Sequence, residues 1–269
     1  MPSKAVDLEF SHKYDRSHSE EYLHKHQAGF WRKLSHARDV QIARKALKLA
    51  GQPNLVLDLP CGAGRFWPML AEMENRVIIG ADYSADMIAV ACDHQPAEVV
   101  KRVRPLQTSA FAIDLSDNSV DSIFSMRLMH HIGKTEDRLT MLREFHRVSR
   151  DSVVLSLWVD GNLKSWKRKQ LEAKRERRGY QNRFVVPART IEAEFRQAGF
   201  VVQDHSISAR CCICGGFTFC ARSNGCSLIW HLCGKFPVKT PSIAGCSFPA
   251  NGWRNRIGGV AAKAACSAC

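Results

Sequence analysis

The chain alternates between short apolar segments and longer segments in which apolar residues recur every three or four positions. The longer segments have helical spacing and cover residues 20–50, about 65–74, a stretch that opens at Ser84, about 136–149 and the surroundings of 191–198. The short segments predict strands at 54–59, 76–81, 104–110, 120–125, 152–158 and 200–202. Helical segments between successive strands indicate parallel crossovers. The pattern therefore predicts an α/β fold with a doubly wound, mostly parallel sheet in three αβα layers.

The turn after the first predicted strand carries two glycines, Gly62 and Gly64. Glycine lacks a Cβ, so the backbone there can turn sharply and approach a ligand closely. Twenty residues beyond Gly62, Asp82 ends the second predicted strand, where a carboxylate can accept hydrogen bonds from both ribose hydroxyls. Ligands of such sheets bind outside the carboxyl ends of the strands. The arrangement predicts a cofactor that contains a nucleoside.

The same turn disfavours a dinucleotide. The pattern G-x-G-x-x-G would require its third glycine at position 67, where this chain has Trp67. Asp58, at the end of the first predicted strand, suits a ligand that carries a positive charge rather than a phosphate. S-adenosylmethionine carries an ammonium and a sulfonium, so it fits this site better than a dinucleotide.

Residues 55–64, LVLDLPCGAG, and 80–87, GADYSADM, resemble the class I S-adenosylmethionine-dependent methyltransferases. The segments DNSVD at 117–121 and LMHHI at 128–132 resemble the flanks of the fourth strand in the type 11 methyltransferase group. The resemblance covers about residues 40–208. It implies a Rossmann-like class I methyltransferase fold, S-adenosyl-L-methionine as methyl donor and S-adenosyl-L-homocysteine as product.

The resemblance also implies which positions contact the cofactor. They are Asp58, Pro60, Cys61, Gly62, Gly64, Asp82, Tyr83, Met87, Ser109, Ala110, Ser125 and Met126. By this resemblance Asp58 and the backbone of the two turn glycines would hold the methionyl end, and Asp82 would bind the ribose hydroxyls. Two departures stand out: Pro60 replaces the first glycine of the motif, and many relatives have an acid where this chain has Ser109.

The resemblance distributes the other positions along the cofactor. Met87 would pack on the adenine, although a core position is an equal alternative. The segment Ser109–Ala110 would contact the adenine edge, and Ser125–Met126 would lie beneath the methyl group. A structural alternative exists for Asp58, which could cap the following helix. Cys61 is expected to pack in the turn rather than act as a nucleophile, because no partner base lies near it in the sequence.

His130 and His131 follow the fourth predicted strand, where the acceptor should arrive. With an unperturbed pKa near 6.5, either could remove a proton from an acceptor hydroxyl or amine, and His131 is the candidate base. The alternative is that the pair positions a loop. Two histidines without a third ligand make a poor metal site, so no metal is expected.

Charge bears on the acceptor. The chain has a formal net charge of +13, and residues 164–183 hold nine Lys and Arg against two Glu. This segment could bind the phosphates of RNA, or it could be a solvated helix face with internal charge pairs. We expect a small-molecule acceptor. The alternatives are an RNA methyltransferase that uses this basic segment and an inactive protein that binds S-adenosylmethionine without turnover.

Composition changes abruptly near residue 210. The last 59 residues contain no acidic residue but nine of the 11 cysteines. Among these, Cys211-x-x-Cys214 and Cys266-x-x-Cys269 resemble zinc knuckles but lie too far apart for a ribbon-type site. The segment 216–219 is a weak candidate for the antiparallel strand with which class I methyltransferases end. We expect a poorly ordered tail, and one hypothesis is translation out of the ancestral reading frame.

These observations predict three regions: a helical cap or lid at 1–50, a cofactor-binding domain at 51–210 and the tail at 211–269. The first 15 residues are polar and charged, and no segment reaches 18 consecutive apolar residues. We therefore expect no membrane span and a cytoplasmic location. Nothing in the sequence indicates the oligomeric state.

Overall fold

The structure is a computed structural model. It describes residues 29–159 and 184–201, the strands at 205–208, 217–222 and 229–232, and residues 6, 16 and 19–21. The chain divides into two compact units, Met1–Lys235 and Phe236–Cys269, and all described residues belong to the first. In chain order the elements are α1 (Phe30–Leu49), β1 (Leu55–Asp58), α2 (Trp67–Leu70), β2 (Val77–Asp82), α3 (Ala85–His94), α4 (Ala97–Val100), β3 (Val103–Gln107), β4 (Val120–Ser125), a 3-10 turn (Met129–His131), α5 (Thr135–Val148), β5 (Ser149–Leu157), α6 (Ala188–Gln197), β6 (His205–Ser208), β7 (Phe217–Arg222) and β8 (Ile229–Leu232).

The strands form one sheet in the order β3-β2-β1-β4-β5-β7-β8-β6. The first five strands by sequence pair in parallel, whereas β7 runs antiparallel to β5 and to β8. The predicted α/β fold with a doubly wound, mostly parallel sheet is confirmed. Strand order reverses between β1 and β4, so the ligand crevice of such a sheet lies at their carboxyl ends.

Two apolar clusters cover the two faces of the sheet. One joins α5 and α6 to the sheet through residues such as Phe145, Phe195 and Ile123. The other joins α1 and the segment from α2 to α3 through residues such as Leu47 and Trp67. Because both faces are covered, the central strands β1 and β2 show no polar and apolar alternation, and each ends in an aspartate.

Helix boundaries depart from the predictions at two places. The helix predicted over about 65–74 is regular only at Trp67–Leu70, because the guanidinium of Arg102 binds the carbonyls of Ala71, Met73, Glu74 and Arg76 and holds that stretch as a turn. In the segment predicted to be helical over 20–50, α1 begins at Phe30, and residues 22–28 lie outside the described part.

Among the strands, β4 occupies the predicted residues, and β3 ends at Gln107 instead of Ala110. The strand predicted at 200–202 is shifted along the chain: Phe200 is outside any strand, Val201 forms a single β-bridge, residue 202 lies outside the described part, and β6 occupies His205–Ser208. The shift follows from the end of α6, where Gly199 adopts a φ of +100° and the N–H of Phe200 bonds back to the carbonyl of Phe195. The chain must leave this helix-terminating turn before it can extend.

The antiparallel strand suggested at 216–219 corresponds to β7. Its register with β5 runs from Ser152 opposite Arg222 to Leu157 opposite Phe217. Two strands of the compositionally unusual region, β7 and β8, are thus part of the sheet. Both cysteine pairs and the basic segment 164–183 lie outside the described residues. No described helix has the length and apolar character needed to cross a bilayer.

Candidate functional site

The turn from β1 into α2 is built on two glycines with left-handed backbone. Gly62 has a φ of +53° and Gly64 a φ of +68°. A Cβ on Gly64 would lie 2.9 Å from the ring of Trp67 and from Cγ of Gln95, so no larger residue fits. Two backbone bonds anchor the turn to its neighbours, since the N–H of Cys61 donates to Ala81 at 2.8 Å and that of Leu59 donates to Phe124 at 3.0 Å.

Asp82, at the end of β2, is held against this turn. Its Oδ2 accepts from the N–H of Gly62 at 2.9 Å, and its Oδ1 accepts from the N–H of Ser84 at 3.0 Å. Burial raises the pKa of Asp82, and the backbone N–H groups oppose that rise. The two bonds fix the orientation of the carboxylate and leave lone pairs on both oxygens.

Asp58, at the end of β1, is the most unusual side chain of the crevice. It is 1% exposed, and neither carboxylate oxygen has a hydrogen-bond partner among the described residues. Burial, followed by the charge of Asp82, raises its pKa well above the ordinary value, and interaction with the Trp67 side chain offsets this only in part. The capping alternative is wrong, because α2 begins after Phe66 without a side-chain cap.

Cys61 lies within the same turn and is buried. Burial, with the charges of Asp82 and Asp58 as further causes, raises the pKa of its thiol well above the ordinary value. A neutral buried thiol is a weak nucleophile, so packing in the turn is the role that the structure supports. Pro60 precedes it, joined to Leu59 by a cis peptide bond.

The segment after β2 carries the residues expected near the adenosine. Ser84 caps α3, since its Oγ accepts from the N–H of Met87 at 3.3 Å. Met87 is buried, and Tyr83 is about half exposed. Across the crevice, Ser109 and Ala110 follow Thr108, whose N–H donates to the carbonyl of Asp82 at 3.0 Å.

Ser109 has a local role in this loop. Its hydroxyl accepts from the N–H of Phe111 at 3.2 Å. Without the longer side chain of an acid, it stabilises the turn that leads away from β3. Ala110 beside it is buried.

The end of β4 forms the opposite wall. Ser125 and Met126 are both buried. Arg127 follows with a φ of +67°, and its N–H donates to Ser156 Oγ on β5 at 2.8 Å. A non-glycine residue in this conformation is uncommon and is typical of sites where the surroundings impose it.

His130 and His131 lie in the 3-10 turn beyond this wall. The His130 ring is buried and stacks on Trp158 with centroids 4.5 Å apart, and the centroids of the His130 and His131 rings lie 4.2 Å apart. The carbonyl of His130 accepts from the N–H of Phe184 at 2.7 Å. His131 is the more accessible of the two rings.

The sequence analysis missed a charged cluster next to the glycine turn. Asp39 on α1 accepts hydrogen bonds from both Arg65 and Arg127, and His36 accepts from Arg65. These residues are far apart in the sequence and form no motif. Their only signal was the spacing of His36 and Asp39, three positions apart and thus on one face of a helix.

No group of three or more potential metal ligands occurs in the described residues. The site therefore consists of two acids and two glycines at the β1–β2 edge, a buried wall at the end of β4 and a pair of histidines beyond it. This arrangement can hold a cationic nucleoside ligand across the strand ends, with an acceptor approaching from the β4 side.

Residues 56–152 match the family model of a methyltransferase domain. The chain is 30% identical over 155 residues to a tRNA U34 carboxymethyltransferase of Shewanella loihica, which covers 54% of this chain and 43% of that protein. It is 32% identical over 95 residues to demethylmenaquinone methyltransferase of Lactococcus lactis, which covers 35% of this chain and 36% of that protein. The chain spans less than half the length of these curated relatives.

Solved structures with the same fold cover more of the chain. Magnesium protoporphyrin IX methyltransferase of Synechocystis, with bound S-adenosylmethionine, aligns with a TM-score of 0.59 at 14% identity, over 82% of this chain and 99% of that one. Human N-acetylserotonin methyltransferase aligns with a TM-score of 0.59 at 16% identity, over 81% and 60%.

Proposed function

We propose that this chain is a class I S-adenosylmethionine-dependent methyltransferase that transfers the methyl group of S-adenosylmethionine to a small-molecule acceptor, because residues 56–152 match a methyltransferase-domain model and a solved methyltransferase with bound S-adenosylmethionine shares the fold. S-adenosylhomocysteine is then the second product.

The observation that carries the cofactor assignment is the buried carboxylate of Asp58. A carboxylate that is 1% exposed, and whose burial the Trp67 side chain offsets only in part, is costly to keep ionised. An ammonium group in front of it would restore ionisation and provide the missing donors. The backbone of Gly62 and Gly64 allows the methionyl end to come this close.

Asp82 supports the position of the ribose. Its two backbone bonds leave one lone pair on each oxygen for the ribose hydroxyls. Beyond the ribose, Met87 and the pair Ser109–Ala110 border the adenine in our assignment. Tyr83 flanks Asp82 and is half exposed, so its ring can close over the adenosine from the solvent side.

The acceptor approaches from the end of β4. When bound, the cofactor supplies a methyl group on a positively charged sulfur that leaves as a neutral thioether. Ser125 and Met126 form the buried floor beneath that methyl group. There they help to align the donor with the acceptor, and such alignment can supply most of the reduction in the barrier to methyl transfer. His131 takes the proton that an acceptor hydroxyl or amine loses.

The enclosure of this wall favours a small acceptor. Met126 and His130 are buried, and Trp158 stacks on His130. These buried and stacked side chains form an enclosed, mostly apolar surface, which suits a small acceptor better than a long RNA strand. Two observations favour RNA instead: a curated relative is named tRNA U34 carboxymethyltransferase, and residues 164–183 are strongly basic.

Calorimetric titration of S-adenosylhomocysteine into the full-length chain tests the cofactor site. We expect binding that Asp82→Ala abolishes and that Asp93→Ala, a solvent-exposed aspartate on α3, leaves unchanged. Absence of binding by the folded unmodified chain would overturn the proposal.

A second measurement separates the acceptor classes. Formation of S-adenosylhomocysteine is measured with a panel of phenols, amines and carboxylic acids, and in parallel with total tRNA at low and high salt. Turnover with small molecules supports our assignment. Turnover with tRNA that falls steeply as salt rises would replace it with the RNA alternative, and binding without turnover on either panel would indicate an inactive cofactor-binding protein.

A further inference from the structure

Three charged side chains meet between the glycine turn and the end of β4. The Oδ2 atom of Asp39 accepts from Arg65 Nη2 at 2.9 Å and from Arg127 Nη2 at 2.8 Å. Asp39 belongs to α1, Arg65 to the turn after β1 and Arg127 to the segment after β4. The cluster therefore connects α1 with the two loops that border the crevice, on the side from which the acceptor approaches.

The cluster carries more positive than negative charge. One carboxylate oxygen serves two guanidinium groups, so Arg127 shares the Asp39 carboxylate with Arg65. His36 adds no negative charge, because its Nδ1 accepts from Arg65 Nε at 2.8 Å and the ring must be neutral to do so. The side chains of Asp39 and Arg65 are mostly shielded from water, so this charge is poorly screened.

The backbone of Arg127 is held in a conformation that points to a ligand role. Its φ of +67° is rare for a side-chain-bearing residue, and the bond from its N–H to Ser156 Oγ fixes that conformation. Such strain persists only where the surroundings impose it, and it concentrates at ligand sites. Arg127 directly follows Met126, which forms the floor beneath the methyl group in our proposal.

Arg127 is also the most accessible member of the cluster. Its side chain is 40% exposed, against 15% for Arg65 and 20% for Asp39. Arg65 is held from two sides, by His36 and by Asp39, and its guanidinium carbon lies 5.2 Å from the centre of the Phe66 ring. An incoming anion can therefore engage Arg127 while Asp39 keeps Arg65 in place.

We propose that Arg127, supported by Arg65, binds an anionic group of the methyl acceptor, either a carboxylate or a phosphate. A guanidinium matches both groups because its planar fork can donate two parallel hydrogen bonds. This inference rests on the proposed function, since it is the position of the transferred methyl group that directs the acceptor to the end of β4. Asp39 competes with the acceptor anion for Arg127, so it sets how strongly that anion binds.

The test uses the full-length chain saturated with S-adenosylhomocysteine. Benzoate and phenyl phosphate are titrated as anionic probes and phenol as the neutral reference, with binding measured by calorimetry. We expect at least one anion to bind more tightly than phenol, and the preferred anion identifies carboxylate or phosphate. Arg127→Gln should lower the affinity for that anion at least tenfold and leave the affinity of the chain for S-adenosylhomocysteine unchanged. Arg150→Gln, which removes an exposed cation on β5, should have no effect.

Asp39→Asn gives an effect of opposite sign. It removes the competing charge while it keeps the shape of the side chain, so affinity for the anion should rise several-fold. A merely structural cluster would instead show unchanged or weaker binding. The inference is overturned if the anions bind no better than phenol, or if Arg127→Gln and Asp39→Asn both bind them like the unmodified chain. Loss of S-adenosylhomocysteine binding by the unmodified chain would count against the proposed function itself.

Discussion

Arg138 and Glu194 form a buried ion pair that joins α5 to α6. Nη2 of Arg138 lies 2.6 Å from Oε1 of Glu194, and its Nε lies 2.8 Å from Oε2, with both side chains 3–4% exposed. Arg138 also donates to the carbonyls of Ile132 and Gly133, directly after the histidine pair. The pair thus holds in place the segment that directly follows His130 and His131 on the acceptor side of the crevice.

Glu194→Gln should destabilise the chain strongly. The substitution leaves the Arg138 guanidinium buried without its counter-charge, and breaking a buried pair in this way costs about 3–5 kcal/mol. Chemical denaturation monitored by circular dichroism measures the change. Arg138→Met combined with Glu194→Leu removes both charges and should recover much of the loss. Equal destabilisation by the single and the double variant would contradict this reading.

Asp58→Asn should weaken cofactor binding without lowering the stability of the chain. Without cofactor, the variant is expected to be at least as stable as the unmodified protein, because burial of the Asp58 carboxylate opposes folding and the Trp67 side chain offsets this only in part. Affinity for S-adenosylmethionine should fall by at least about tenfold, since the ammonium loses its charged partner. Thermal unfolding and calorimetry on the same sample measure both effects. A fall in stability with unchanged affinity would mean that Asp58 is structural.

Cofactor binding should depend on pH through the same residue. Burial raises the pKa of Asp58, so the free site favours the protonated carboxyl, whereas a bound cation favours the ionised one. Binding therefore releases a proton, and affinity should decrease as pH falls. Calorimetry in buffers of different ionisation enthalpy measures the proton release directly. In Asp58→Asn this release should disappear, and its persistence would assign the effect to another group.

The stability of the free chain should follow the opposite trend. Because the folded-state pKa of Asp58 lies above the unfolded value, the folded chain binds more protons. Its contribution is present at low pH and is lost as pH rises through the folded pKa. The free energy of unfolding is measured by denaturation across a pH series, and its difference from that of Asp58→Asn gives the contribution of Asp58. A contribution that grows with pH would contradict the assignment.

Gly64→Ala should damage both the fold and the site. Its φ of +68° disfavours any side chain, and the new Cβ would lie 2.9 Å from Trp67. Gly29→Ala is the matched control, since Gly29 has a φ of +86° but no atom within 4 Å of the added methyl. With a ψ of 147°, Gly29 lies in a region that side chains rarely adopt, so the control should lose about 1–3 kcal/mol of stability but keep S-adenosylhomocysteine binding. Gly64→Ala should lose that binding as well as stability. Similar losses in both variants would mean that the contact with Trp67 is unimportant.

The sequence predicted the local parts of the site well. Asp58, Gly62, Gly64 and Asp82 lie in strand–turn–strand order, so their positions followed from the apolar pattern and the resemblance. Pairs that depend on the tertiary arrangement were missed, because their partners are 26 positions apart for Arg65 and Asp39, 88 for Arg127 and Asp39, and 56 for Arg138 and Glu194. No periodicity links such residues, and their partnership arises only when helices and loops pack.

The antiparallel pairing of β7 with β5 has a consequence for how this chain can change in evolution. Six consecutive positions of β7 pair with β5, whose Ser156 fixes Arg127. Ladder bonds are made by peptide groups, so they are largely indifferent to which side chains the strand carries. The strand can therefore keep this pairing with β5 through substitutions that leave its backbone extended and introduce no proline.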